Sequence, residues 1–403
     1  MSEISPIPTP SETDPCPISG DPFDPEYTRE VATQVFGPIV EHYFRPRLLG
    51  VQKLTPAGQG PAILAPNHSG SAFPYDALLL DALLWRHDGY RVEAKCRSVF
   101  EKQLAMTWWM NPFGIDNFWR RCGGVDMTFD NYSRLLERGD RVIHYPEGVP
   151  GIGKGFNRRY QLQRYSSSLV VMAARHDAPI HPIHVVNAEW VVPFGYMLKP
   201  LNDFLLRFFG VPYLPLPAGP LGILFPWAWY LATPCRMVFH VGDAIDVKEP
   251  ARARGLDPEA IEDLPRETLR ELAEDIRRLA QRDLDRHVAR VGRWPYQGRS
   301  LRRHWKKARG ERAALLPWSW SFRMVRHERD RRRPPAKNKL HAWLRDWDVL
   351  GFYLPFGWLF LALTRAWRRP PYGFRGLPKK ERERRQGFYL WRLMDDPLPP
   401  KSS

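Results

Sequence analysis

Five short apolar runs, residues 62–65, 91–94, 142–145, 180–186 and 237–241, constrain this chain more than any other feature. Each is bounded by Pro, Gly or polar residues, and continuous apolar runs of this length suit strands buried on both faces. Segments 77–85 and 131–138, which lie between them, have helix-compatible patterns. Strand alternating with helix predicts an α/β fold in which a mixed central sheet is covered by helices, over residues 25–250. With 43% hydrophobic and 13% aromatic residues, the chain has ample material for such a core.

The flanks differ from the core. Residues 1–24 carry prolines and acids where a secretory signal would need a basic start and an apolar run, so a disordered leader is expected. Tyr27, Val31, Val35, Ile39 and Tyr43 recur at helical spacing and predict an amphipathic N-terminal helix that stops near Pro46. Residues 251–293 predict an amphipathic helical segment, with a possible interruption at Pro265. Residues 294–403 form a basic, Trp-rich extension, expected to be helical and membrane-associating.

The formal net charge of +16 attracts anions, whether phospholipid head groups, nucleic acid or a phosphorylated substrate. Much of it lies in residues 299–339, where fifteen Lys or Arg face three acids. Residues 349–363 follow as an uncharged apolar run that would extend about 22 Å as a helix, short of a hydrocarbon layer of about 30 Å. Flanking Trp343, Trp347 and Trp367, with Arg365, Arg368 and Arg369, suit an element at the head-group boundary, and a buried core helix is the alternative. The four cysteines lack Cys-x-x-Cys spacing and a nearby His pair, so neither a zinc site nor a disulfide framework is expected.

The first constellation able to carry chemistry is Asn67-His68-Ser69-Gly70, directly after an apolar strand and before the helical segment containing Asp76. A histidine is suited to general-base work because its ordinary pKa, about 6.5, leaves a large neutral fraction at physiological pH. A carboxylate bonded to one ring nitrogen fixes the tautomer and leaves the other nitrogen for a substrate proton. Asp76 is the nearest downstream candidate, with Asp81 the next acid along. The second constellation, Tyr145-Pro146-Glu147-Gly148, places a carboxylate and a permissive glycine at the end of another strand, where open α/β sheets bind ligands. Glu147 could accept hydrogen bonds from substrate hydroxyls or organise the loop.

Together the two stretches resemble the lysophospholipid and glycerolipid acyltransferase superfamily, whose signature is Asn-His-x4-Asp followed by Phe-Pro-Glu-Gly. Residues 43–45, 151–164 and 178–183 resemble further blocks of that family, and the likeness extends over roughly 28–247. It implies transfer of a fatty acyl group from acyl-CoA or acyl-carrier protein to a glycerolipid hydroxyl, with no bound cofactor and no metal. It also implies a membrane-associated enzyme on the cytoplasmic face, with membrane lipids as partners and no nucleic acid. On this resemblance His68 is the base and Asp76 its orienting acid. Asn67, Ser69, Gly70, Glu147, Gly148, Lys154 and Arg158 would bind substrate, the last two through phosphate.

Three departures from the family pattern stand out. Seven residues separate His68 from Asp76 instead of four, Phe129 occupies the place of a phosphate-directed arginine, and Val149-Pro150 replaces Thr-Arg after Glu147-Gly148. The missing arginines weaken lysophosphatidate as the acceptor and admit a neutral glyceride. Two other function classes remain open on sequence: an inactive membrane-binding relative, and a nucleic-acid-binding protein acting through the basic C-terminal segment.

Overall fold

The computed structural model describes residues 23–56, 58–69, 73–90, 96–100, 118–196, 198, 200–201, 204, 216, 218–291, 295–296, 306, 320–332 and 337–363. Among the described residues, seven strands form one sheet: β1 (Arg47–Leu49), β2 (Ala62–Pro66), β3 (Cys96–Phe100), β4 (Val125–Asp126), β5 (Arg141–Ile143), β6 (Ile180–Val186) and β7 (Val238–Val241). Their order is β1-β7-β6-β2-β5-β3-β4, parallel throughout except for the antiparallel β6–β7 pair. This is the mixed α/β sheet that the alternation of apolar runs predicts.

Four of the five apolar runs become β2, β5, β6 and β7, while 91–94 and most of the 1–24 leader lie outside the described residues. The sequence pattern does not reveal β1, β3 and β4. They are two to five residues long and carry Arg47, Arg97 and Asp126, so their strand character comes from pairing with longer neighbours. All residues of β2 and β6 are buried. Successive side chains alternate between two cores: Ile63 and Ala65 enter one, Leu64 the other.

The helical segments 77–85 and 131–138 fold as α1 (Tyr75–His87) and α2 (Phe129–Glu137). The hydroxyl of Thr128 caps α2 by accepting the Asn131 N–H at 3.1 Å. With α3 (Ser168–Arg175) and α4 (Arg266–Val291), α2 covers the Ile63 face. Pro265 does not interrupt α4 but immediately precedes it.

At the N-terminus Tyr27, Val31, Val35, Ile39 and Tyr43 are all buried, in an α-turn (Pro25–Glu30) followed by two π-helical stretches, Val31–Val35 and Ile39–Phe44. Their constant spacing of four exceeds the 3.6 residues of an α-turn, and the wider π turns absorb the excess. The expected helix is therefore a mixed one.

The C-terminal extension is partly built into the core. Helix α5 (Trp320–Arg332) buries Trp320, Met324 and Val325 on the Leu64 face, with Trp320 5.5 Å from Phe36. Arg121 pairs with Glu328 at 2.8 Å, and Arg331 pairs with Glu30. The apolar run 349–363 is divided between a 3₁₀ turn (Trp347–Phe352) and a short helix (Gly357–Leu363). Val349, Phe352 and Leu361 are buried, whereas Leu354, Phe356 and Leu359 are exposed, so the run belongs partly to the core and partly to the surface. No helix among the described residues is long and apolar enough to cross a membrane.

The end of α4 is seated on the sheet through histidines. The His287 ring lies 3.6 Å from His240 and 5.2 Å from His184, measured between centroids. Burial, reinforced by the neighbouring rings, pushes His184 down to about 3 and His287 down to about 4. Lys53 adds to the depression of all three rings and Arg290 to that of His240 and His287, whereas Asp283 opposes it at those two and Asp243 at His240. These rings are held neutral in the fold but protonate freely once unfolded, so stability falls as pH drops below about 6.5 towards 4. Replacing His287 with Asn is expected to reduce the loss of urea midpoint between pH 7.5 and pH 5; identical losses in both proteins would refute this.

Candidate active site

The site begins with strand pairing. Leu64 of β2 lies opposite Ile143 of β5, and the His144 N–H donates to the Leu64 carbonyl at 2.9 Å. The segments leaving these two strands therefore emerge side by side at their carboxyl ends, carrying His68 and Glu147. Glu147 joins them: Oε1 accepts the His68 N–H at 2.9 Å and Oε2 accepts the Gln163 N–H at 2.6 Å. Of the two roles open to it on sequence, the geometry supplies loop organisation.

Two glycines allow this approach. Gly148 has φ +55°, a left-handed conformation costly for other residues. A Cβ on Gly151 would lie 2.6 Å from the Glu147 Cβ and 3.0 Å from the His68 Cβ. The chain after Glu147 can pass beneath His68 only without a side chain there.

Asp76, fully buried in the first turn of α1, reaches back to the loop. Its Oδ2 lies 2.7 Å from His68 Nδ1 and accepts the Ser69 N–H at 2.8 Å. The helix begins at Tyr75, directly after Pro74, so seven intervening residues still bring the carboxylate to the imidazole. Asp81 instead accepts the Ser98 hydroxyl at 3.0 Å. With the proton on Nδ1 directed at Asp76, the lone pair of His68 lies on Nε2. The Tyr145 ring packs 4.3 Å from the imidazole and braces it, while the His68 side chain remains 13% exposed. His144, three residues before Glu147, has a different character: it meets the Tyr132 hydroxyl at 3.2 Å, and burial pushes it down to about 4.

The other expected site residues divide. Asn67, expected to touch substrate, clamps β2 to β6: its Nδ2 donates to the Val185 carbonyl at 3.0 Å and its Oδ1 accepts the Val185 N–H at 2.6 Å. Its amide is committed to backbone, which fixes where His68 begins. Gly70 lies outside the described residues. Arg158 is exposed in a 3₁₀ turn (Phe156–Arg158).

Ser69 and Lys154 line a small cleft together with Ile152, Phe156, Val192 and Glu189. Lys154 is buried, with Nζ 3.3 Å from Glu189 and 3.9 Å from Glu147. Burial alone would lower its pKa, but the two carboxylates outweigh that effect and hold it above the ordinary value. Burial also raises Glu147, against the pull of Lys154 and the two N–H donors. Glu189 belongs to no motif, and its only sequence signal is a lone acid just after an apolar strand. Among the described residues, no group of three or more His, Cys, Asp or Glu could hold a metal ion.

Residues 45–186 match the family model described as Acyltransferase. Uncharacterized proteins of Mycobacterium bovis and Mycobacterium tuberculosis are 30% identical over 217 residues, 52% of this chain and 57% of theirs. An uncharacterized Mycobacterium leprae protein is 29% identical over 52% of this chain and 55% of its own. The chain thus spans little more than half the length of the curated relatives it matches. Among solved structures, the crystal structure of the 1-acyl-sn-glycerophosphate (LPA) acyltransferase, PlsC, from Thermotoga maritima aligns with TM-score 0.38 at 13% identity, covering 67% of this chain and 81% of that chain.

The Asn67 clamp is testable by stability. Asn67→Ala would leave the Val185 groups unsatisfied by the side chain and is expected to lower the unfolding free energy by about 1–3 kcal/mol in urea titrations. An unchanged midpoint would show that the clamp carries no weight.

Proposed function

We propose, because residues 45–186 match the Acyltransferase family model, that the chain transfers a fatty acyl group from acyl-CoA or acyl-carrier protein to a hydroxyl of a lysophospholipid or other glycerolipid. The observation that carries this reading is the 2.7 Å contact between Nδ1 of the partly exposed His68 and Asp76, which leaves Nε2 for a substrate proton.

In this mechanism Nε2 takes the proton of the acceptor hydroxyl as its oxygen attacks the thioester carbonyl carbon. The imidazolium that forms is stabilised by Asp76, as in other base–acid pairs. Collapse of the tetrahedral intermediate breaks the C–S bond, and the thiolate leaves with the proton that His68 had taken. The ester forms without a covalent acyl-enzyme, and no redox step or metal is needed. Glu147 contributes by holding the His68 backbone, and Asn67 by anchoring the strand before it.

The acyl chains of both substrates call for a lipid surface, and exposed apolar side chains support a peripheral position on one. Leu221 and Ile223, in the short helix Ala218–Leu224, and Phe356 and Leu359, in the C-terminal region, are all exposed. The two segments are joined by the Phe356 N–H donating to the Leu224 carbonyl at 2.7 Å and the Trp358 Nε1–H donating to the Gly222 carbonyl at 2.8 Å. Such a patch can enter the head-group boundary while Lys and Arg meet anionic lipid.

His68→Ala is expected to lower transfer of a labelled acyl group by about 100- to 10,000-fold, and Asp76→Asn by a smaller factor. Turnover equal to wild type in His68→Ala would eliminate the mechanism. Sedimentation with anionic liposomes tests the surface: wild type should bind, and the Ile223→Asp/Leu359→Asp double variant should bind at least several-fold less. Equal binding would remove this patch from the membrane contact.

A further inference from the structure

The cleft beside His68 has a charge pattern that bears on which hydroxyl it accepts. Among the described residues that line it, the buried cation Lys154 lies between two carboxylates, Glu147 and Glu189. The two carboxylates compensate its charge, but Nζ itself is buried without a hydrogen-bond partner. A phosphate entering the cleft would have to displace these contacts or sit against the carboxylates. Arg158 is exposed, and the Arg159 guanidinium lies over the Phe156 ring at 4.8 Å.

Glu189 itself is built to stay in place. The turn that carries it, Ala188–Val191, follows Asn187, whose φ of +76° reverses the chain. Asn187 Oδ1 accepts the Tyr160 hydroxyl at 2.7 Å and its Nδ2 donates to the Arg236 carbonyl at 3.2 Å. Glu189 Oε1 accepts the Tyr160 N–H at 2.9 Å, whereas Oε2 is buried without a hydrogen-bond partner. Ser69 Oγ, on the same cleft, is likewise buried and without a partner. A buried carboxylate oxygen in this state is satisfied only by a donor. A hydroxyl can donate to Oε2 and accept from Lys154 Nζ, which is buried and unpartnered on the same cleft, whereas an ionised phosphate oxygen can only accept.

We infer that Glu189 selects acceptors whose head group is uncharged and hydroxyl-bearing, and rejects those that carry phosphate beside the reacting hydroxyl. The inference rests on the acyl-transfer reading of His68 and narrows it. Glu189 Oε2 accepts a hydrogen bond from a second hydroxyl of the head group while the first is presented to His68. In a Glu189→Gln protein the side-chain carbonyl can keep the Tyr160 N–H, which puts an amide donor where Oε2 was. That change removes a negative charge and inverts the preference at this point.

Equilibrium binding tests this without an acyl donor. Wild-type protein is titrated calorimetrically with a 1-O-alkylglycerol and with the same lipid as its 3-phosphate, in neutral micelles. Wild type is expected to bind the neutral lipid at least tenfold more tightly, and Glu189→Gln to shrink that ratio at least tenfold. Equal or reversed wild-type affinities overturn the inference even if the variant does not fold; so does a folded variant that keeps the wild-type ratio. Acyl transfer to monoacylglycerol and lysophosphatidate is then measured on the same proteins. Discriminating binding without transfer to either lipid supports the role of Glu189 while overturning that of His68. Transfer that favours lysophosphatidate in wild type overturns the selectivity while leaving His68 as the base.

Discussion

Because β2 is hydrogen-bonded to β5 on one side and β6 on the other, everything chemical in this molecule is set by where those strands end. The β5 pairing brings the loop after Pro66 beside the loop after Ile143. The β6 pairing is reinforced beyond the last strand residue by Asn67, whose side-chain amide continues the ladder to Val185. His68 is thus anchored from two sides before any of its own side-chain contacts form. Packing completes the arrangement: both faces of β2 are buried, so a register slip would move Ile63 and Leu64 into each other's cores.

On this frame two carboxylates divide the work. Glu147 is a backbone clamp with both oxygens on N–H donors, and Asp76 is the partner of the imidazole. The difference comes from what each can reach. Glu147 leaves its strand beside the His68 main chain, whereas Asp76 approaches from the first turn of a helix beyond the loop. Lys154 and Glu189 then form the polar wall of the cleft, and their mutual compensation gives that wall its character. The C-terminal helix α5 contributes from the Leu64 face of the sheet, where Trp320 packs 5.2 Å from Phe73, in the segment between His68 and Asp76.

The parts of the site that could be read in the sequence are those encoded within a few residues. Asn67-His68-Ser69 and Tyr145-Pro146-Glu147-Gly148 are local patterns at the ends of apolar runs, and a base with a downstream acid follows from side-chain chemistry. Glu189 could not be found this way. Its significance comes from a 3.3 Å approach to a residue 35 positions earlier in the chain, and from the burial of one oxygen. Asn67 shows the opposite limit: it lies within the motif, yet its contacts are to the backbone 118 residues away. The same distinction separates the strands. Long apolar runs declare themselves, whereas β1, β3 and β4 become strands only through their neighbours.

By itself the sequence determined the class of fold, the positions of the main strands and helices, the paired motifs and the identity of the candidate base. These depend on periodicity and on residue chemistry, which are properties of short windows. Only the tertiary structure decided that Asp76 rather than Asp81 meets His68, that Glu147 and Asn67 are spent on backbone, and that Lys154 is matched by Glu189. Hydrogen bonding and charge compensation act over a few ångströms, and separation along the chain does not specify which distant groups folding brings within that range.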